Sequence, residues 1–158
     1  MERVTFIVDT REQEPLSFDP ERVVVTRRAL PAGDYSLEGQ EKAVAVERKS
    51  LADFVSTVIR GRERFHKELK RLAGYEAACI VVEADLGDII EGKYVSGTHP
   101  NSVLGAAISI IVDFGIPVFF CGSRQAACRF VEAYLLRFYK KVSGNDKDKI
   151  TSDPSGHD

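Results

Sequence analysis

With 158 residues, 44% hydrophobic and 29% charged, the chain has the balance of one folded domain, which excludes fibrous and intrinsically disordered classes. A net charge of −2 excludes attachment to nucleic acid by bulk charge, so any such binding rests on how the charges are distributed. The longest apolar stretches, residues 103–116 and 126–138, are too short or too interrupted by charge to span a bilayer. In chain order, residues 4–8 read as a buried strand that delivers Asp9 at its end. A polar loop follows over residues 10–19, where Pro15 and Pro20 block helix. Residues 22–28, with three consecutive valines, form a second strand, and Pro31 and Gly33 punctuate a turn. Residues 34–38 and 43–48 make a hairpin around Gly39.

Ser50 caps a helix through residue 59, with Asp53 at its third position. Gly61 kinks or divides it from a second helical stretch, 62–72, that ends at Gly74. Residues 78–82 are a strand ending in Glu83, 85–92 a short helix or turn, and 93–100 a loop. Asn101 or Ser102 caps a helix through residue 114, residues 117–121 form a strand, and 123–142 a long final helix. Strands followed by alternating helices and strands imply an α/β domain, a mixed central sheet flanked by helices. The domain is expected over residues 1–142, with a disordered polar tail over 143–158.

Cys79, Cys121 and Cys128 have no metal-ligand spacing and cannot all pair, so reduced core thiols are expected. The opening Met1-Glu2-Arg3-Val4 runs straight into a strand and does not read as a signal peptide. A cytoplasmic, nucleoid-associated or nuclear protein is expected rather than a secreted one. His66 and His99 stand alone in sequence and read as surface or loop residues, not zinc ligands. Tyr94, Ser96 and His99 lie in a loop that could border a DNA groove.

The chemistry concentrates in Gly33-Asp34-Tyr35 and Val46-Glu47-Arg48-Lys49. If the two segments pair, Asp34 and Glu47 approach on one face. Two adjacent carboxylates repel unless a cation sits between them, and magnesium suits such a pair because it keeps waters and phosphates as further ligands. Side chains alternate along a strand, so Glu47 and Lys49 share one face and Arg48 takes the other. Lys49 then reaches the metal site, where it can position a water and offset transition-state charge. An acid-x-lysine triplet taken alone is equally a solvated strand face, and Asp34 a turn residue.

The stretch from Gly33-Asp34 to Glu47-Arg48-Lys49 and Asp53 resembles the GDxnERKxxxD signature of the XPF-type structure-specific endonucleases. Val8-Asp9-Thr10-Arg11-Glu12 is similar to the same family's VDxRE segment, and Gly61-Arg62 to its Gly-Arg element. The resemblance implies a restriction-endonuclease-like fold, magnesium dependence with manganese able to substitute, and incision of branched DNA or duplex–single-strand junctions. Carried onto this chain, it implies metal ligands Asp9, Glu12, Asp34 and Glu47, and a catalytic set of Asp9, Asp34, Glu47, Arg48 and Lys49. Asp53 is left either as a motif residue or as a helix-start acid, and Glu14 as a surface residue. Family members commonly carry a tandem helix-hairpin-helix module after the nuclease domain. No such segment follows residue 142 here, so a partner or a dimer is expected to supply that binding function.

Arg60, Arg64, Lys67 and Arg71 recur at helical spacing and read as a phosphate-binding face. Arg62 falls near the apolar side, so either the helix begins after it or it reaches inward toward an acid or a phosphate. Helices 103–114 and 127–139 are apolar nearly all round, which suits a homodimer interface or, alternatively, a helix enclosed within the monomer. The alternative function is a catalytically inactive DNA-binding or scaffolding partner of the same fold, and RNA is not excluded as a substrate.

Overall fold

Side chains alternate between the two faces of a strand, and here helices cover both faces of the central strands. The computed structural model describes residues 2–94, 97 and 99–144. Its elements are β1 (Val4–Val8), β2 (Val23–Arg27), β3 (Tyr35–Leu37), β4 (Val44–Ser50), α1 (Leu51–Ile59), α2 (Arg62–Ala73), β5 (Ala77–Glu83), α3 (Leu86–Ile90), α4 (Pro100–Phe114), β6 (Val118–Phe120) and α5 (Arg124–Ser143). The strands form one mixed sheet in the order β2-β1-β3-β4-β5-β6. β3 is antiparallel to β1 and β4, while the β1–β2, β4–β5 and β5–β6 pairs are parallel. Parallel neighbours need long crossovers, and α1–α2 and α3–α4 supply two of them.

Strand parity divides the core. From β4 and β5, Val44, Val46, Cys79 and Val81 pack with Ala127, Val131, Leu135 and Phe138 of α5. The alternate residues Ala45, Ile80 and Val82 pack under Phe54, Val58, Leu69 and Ile110 of the other helices. The expected α/β architecture with flanking helices is thus present. Among the described residues no helix is long and apolar enough to cross a membrane.

Several boundaries differ from the sequence reading. α4 begins at Pro100, and its cap is His99, not Asn101 or Ser102: the imidazole accepts the Asn101 amide at 3.1 Å. Proline suits the first helical position because that N–H has no helical partner. Gly61 divides α1 from α2, so Arg60 caps α1 and does not belong to the α2 face. Gly74 caps α2 in ordinary right-handed backbone. α5 continues through Ser143 to a left-handed Gly144; the rest of the expected tail, residues 145–158, lies outside the described residues, as does Ser96.

Candidate active site

Gly33 makes the site possible. Its φ is +76°, and a Cβ there would stand 3.0 Å from Ala45 Cβ and 3.1 Å from the Val46 carbonyl oxygen. Only glycine lets the chain pass this close to β4. Asp34 then donates its amide to Val46 O at 2.8 Å and accepts the Asp9 amide at 2.9 Å, stitching β1 to β4 at the head of β3. One Asp34 carboxylate oxygen accepts the Arg48 amide at 2.8 Å.

Parity does the rest. Glu47 and Lys49 share the sheet face of Ala45, and Arg48 takes the face of α5. Lys49 Nζ stands 3.4 Å from Glu47 Oε2 and 5.7 Å from the centre of the Phe65 ring. Asp34, Glu47 and Lys49 line a cleft of about 1150 Å³ whose opposite wall is the α1–α2 corner. Burial pushes both carboxyls above the usual range. For Asp34 the Glu12 charge adds to this against the Arg48 amide and Lys49; for Glu47 the Asp34 and Glu68 charges add to it against Lys49. Two acids that resist joint ionisation, with open space before them, are arranged to accept a cation.

The remaining expected acids are placed differently. Asp9 is fully buried; its carboxylate accepts the amides of Leu30 at 2.8 Å and Arg11 at 3.1 Å and the Arg11 Nε at 2.6 Å. Burial raises the Asp9 carboxyl, but these bonds outweigh it and hold the group below the usual range. Glu12 lies with the Arg48 guanidinium, 2.9 Å from Nε, and accepts the Tyr35 hydroxyl. Among the described residues no three acids, histidines or cysteines stand close enough to share one ion. Of the four acids, Asp34 and Glu47 line the cleft, whereas Asp9 and Glu12 lie at the β1 end outside it.

Arg48 also turns its side chain away from the cleft. Strand alternation carries its guanidinium through the sheet, where it bridges Glu12 and Glu83, and Arg124 of α5 approaches the same Glu83. Only its backbone amide touches the Asp34–Glu47 pair. Asp53 donates its amide to the Ser50 hydroxyl at 3.1 Å, as a helix-start residue does.

Of the expected phosphate-binding residues, Arg60, Arg62, Arg64 and Lys67 line the cleft, and no ion pair among the described residues engages them. Arg71 stands apart, paired with Glu68 at 3.0 Å. Arg62 neither precedes its helix nor reaches inward; it is the first residue of α2 and is exposed. Sequence reasoning missed Glu68. It lines the cleft opposite Glu47 and accepts the Gly33 amide at 3.4 Å. Its spacing of four from Arg64 was the available signal, masked by the surrounding bases.

The ERCC4 domain family matches residues 8–134. The chain is 35% identical over 117 residues to MJ1505 of Methanocaldococcus jannaschii, a protein whose name is that of an ATP-dependent RNA helicase, covering 74% of this chain and 13% of that protein. It is 27% identical over 139 residues to the 3′-flap repair endonuclease Xpf of Saccharolobus solfataricus, covering 82% of this chain and 55% of the relative. The chain thus spans a small part of the first and about half of the second. Among solved structures, XPF from Aeropyrum pernix superposes with a TM-score of 0.67 at 25% identity, covering 89% of this chain and 67% of that one. The same protein in complex with DNA gives 0.68 at 27% identity, covering 88% and 66%. The extent of the family match and the shared sheet and helices lead to one conclusion: the chain belongs to the ERCC4-domain family of XPF-type nucleases.

Proposed function

We propose that this chain is a divalent-metal-dependent endonuclease that hydrolyses phosphodiester bonds in DNA at branches or duplex–single-strand junctions. The observation that carries the reading is the pair Asp34 and Glu47, with Lys49 Nζ 3.4 Å from Glu47, in a cleft rimmed by free cations. The Aeropyrum pernix relative in complex with DNA supports DNA as the substrate class.

Magnesium fits the donor set: two carboxylates on one side and open space for waters and phosphate oxygens on the other. Asp34 and Glu47 would hold it, and manganese, with the same preference for oxygen, would substitute. When bound, the ion supplies a Lewis acid for the scissile phosphate and lowers the pKa of an attacking water. Lys49 contributes a fixed ammonium beside that charge, which orients water and offsets growing negative charge. Arg60, Arg62, Arg64 and Lys67 hold backbone phosphates. Asp9, Glu12 and Arg48 act by bracing the strand ends that carry the acids.

The partner reading is a homodimer. α4 leaves Ile108 50%, Ile111 39% and Val112 72% exposed. Such a patch is unusual on a monomer. A DNA-acting role places the protein in the cytoplasm, nucleoid or nucleus.

Labelled flap, fork, bubble, duplex and single-stranded DNA, with an RNA control, incubated with magnesium, manganese or chelator, test the function. Metal-dependent cutting that favours junctions supports it. DNA binding without cutting under any metal points to an inactive scaffold and overturns it.

A further inference from the structure

A second groove opens behind the α1–α2 corner. Its volume is about 450 Å³, and it shares Ile59, Arg62 and Phe65 with the cleft, so the two spaces meet at the corner. Its far wall is α4. There Ser102, Gly105 and Ser109 follow one another at helical spacing on one side of the helix. A Cβ at Gly105 would meet nothing within 4 Å. These small residues keep the groove open. The exposed apolar residues Ile108 and Ile111 turn away from this stripe, while Val112, seven positions on from Gly105, borders it.

The lining is mixed. Ile59, Phe65, Leu69 and Phe114 give apolar walls, while Arg62, His66, Ser109 and Asp113 give polar groups. The His66 and Phe114 rings stand edge to face, 4.9 Å apart, on the α2–α4 seam. Arg62 has no acidic partner among the described residues, and it sits at the mouth shared with the cleft. Asp113 would repel a phosphate, which places the backbone at Arg62 and a base edge toward Ser109 and Asp113.

Resting on the endonuclease reading above, we propose that this groove holds an unpaired base of the DNA strand next to the cleavage site. A space of this size accepts about one unstacked nucleotide and not a duplex. Aromatic and guanidinium surfaces bind any base by stacking, without reading sequence. The groove thus gives the chain its own means of selecting single-stranded flanks.

The full chain, in chelator to prevent cutting, is titrated onto forked DNA carrying 2-aminopurine at the single-stranded positions nearest the junction. A matched duplex is titrated alongside. Binding is expected to change 2-aminopurine fluorescence at one or two of those positions. Ser109→Leu, which fills the groove with an aliphatic side chain, and His66→Ala are expected to remove that response. Each should weaken fork binding about tenfold, the scale of one lost base stack, and leave duplex binding unchanged. Both positions are exposed, and unchanged thermal melts establish that the variants are folded. Fork and duplex binding that fall together, or do not fall, overturn the groove. If metal-dependent cutting persists without any 2-aminopurine response, the groove fails alone. If no DNA binds at all, the endonuclease reading fails with it.

Discussion

The amide of Arg48 donates to the Asp34 carboxylate at 2.8 Å while its guanidinium lies on the other side of the sheet, between Glu12 and Glu83. One residue thus serves the cleft with its backbone and the opposite layer with its side chain. Arg48→Met keeps the first and removes the second. It leaves the poorly exposed Glu12 without its cation and Glu83 with only the more distant Arg124, and losing one partner of a buried pair costs about 3 kcal/mol. The expected outcome is a clear drop in melting temperature, with cutting lost in proportion to unfolding. A folded variant of normal stability and no activity would instead assign the guanidinium to catalysis.

Lys49→Ala is expected to leave the fold and most DNA affinity intact while reducing single-turnover cutting by about 10²–10³-fold, the usual effect of removing one preorganised electrostatic group. Near-normal cutting by that variant refutes the role given to Lys49.

The Asp34–Glu47 pair predicts an unusual pH profile for metal-free protein. Both folded-state pKa values lie above their unfolded values, toward about 7 for Asp34 and about 8 for Glu47. The folded state therefore binds more protons than the unfolded state, and stability falls as pH rises. The contribution is fully present below the unfolded carboxylate range near about 4 and is lost on passing through about 8. Asp34→Asn should flatten this profile in thermal melts, and magnesium should stabilise the wild type most at the alkaline end. A metal-free profile that rises across this window contradicts the pairing.

Gly33→Ala probes the close approach to β4. A left-handed φ costs a non-glycine residue about 1–2 kcal/mol, and the new methyl also presses on Ala45 and the Val46 carbonyl. The melting temperature should fall, and manganese affinity should fall with it, because Asp34 follows directly. Unchanged manganese binding, measured by calorimetry, separates the turn from the site.

Val112→Glu places a charge in the most exposed apolar position of α4. Sedimentation should show dimers for the wild type and monomers for the variant, with melts of the monomeric unit little changed because surface substitutions are usually small in effect. Dimers that persist in the variant locate the interface elsewhere.

The two periodicities of the chain are local, and both were readable without a structure. Alternation along 43–48 already sets Glu47 and Lys49 against Arg48, and the spacing of Phe65, Leu69 and Leu72 already marks the buried face of α2. The Gly33-Asp34 and Glu47-Arg48-Lys49 segments carried the family resemblance. What the sequence could not supply is the partner chosen by each charge, because that depends on residues far apart in the chain. Asp9 is held by Arg11, two positions away, and by the Leu30 amide, 21 positions away, and Glu12 by Arg48, 36 positions away, and neither acid lines the cleft. Glu68 and the cations of the α1–α2 corner enter the site only when that corner folds back over β4. Local backbone sterics fix strand and helix faces, whereas the selection of ion partners is a property of the packed sheet and the layers on either side of it.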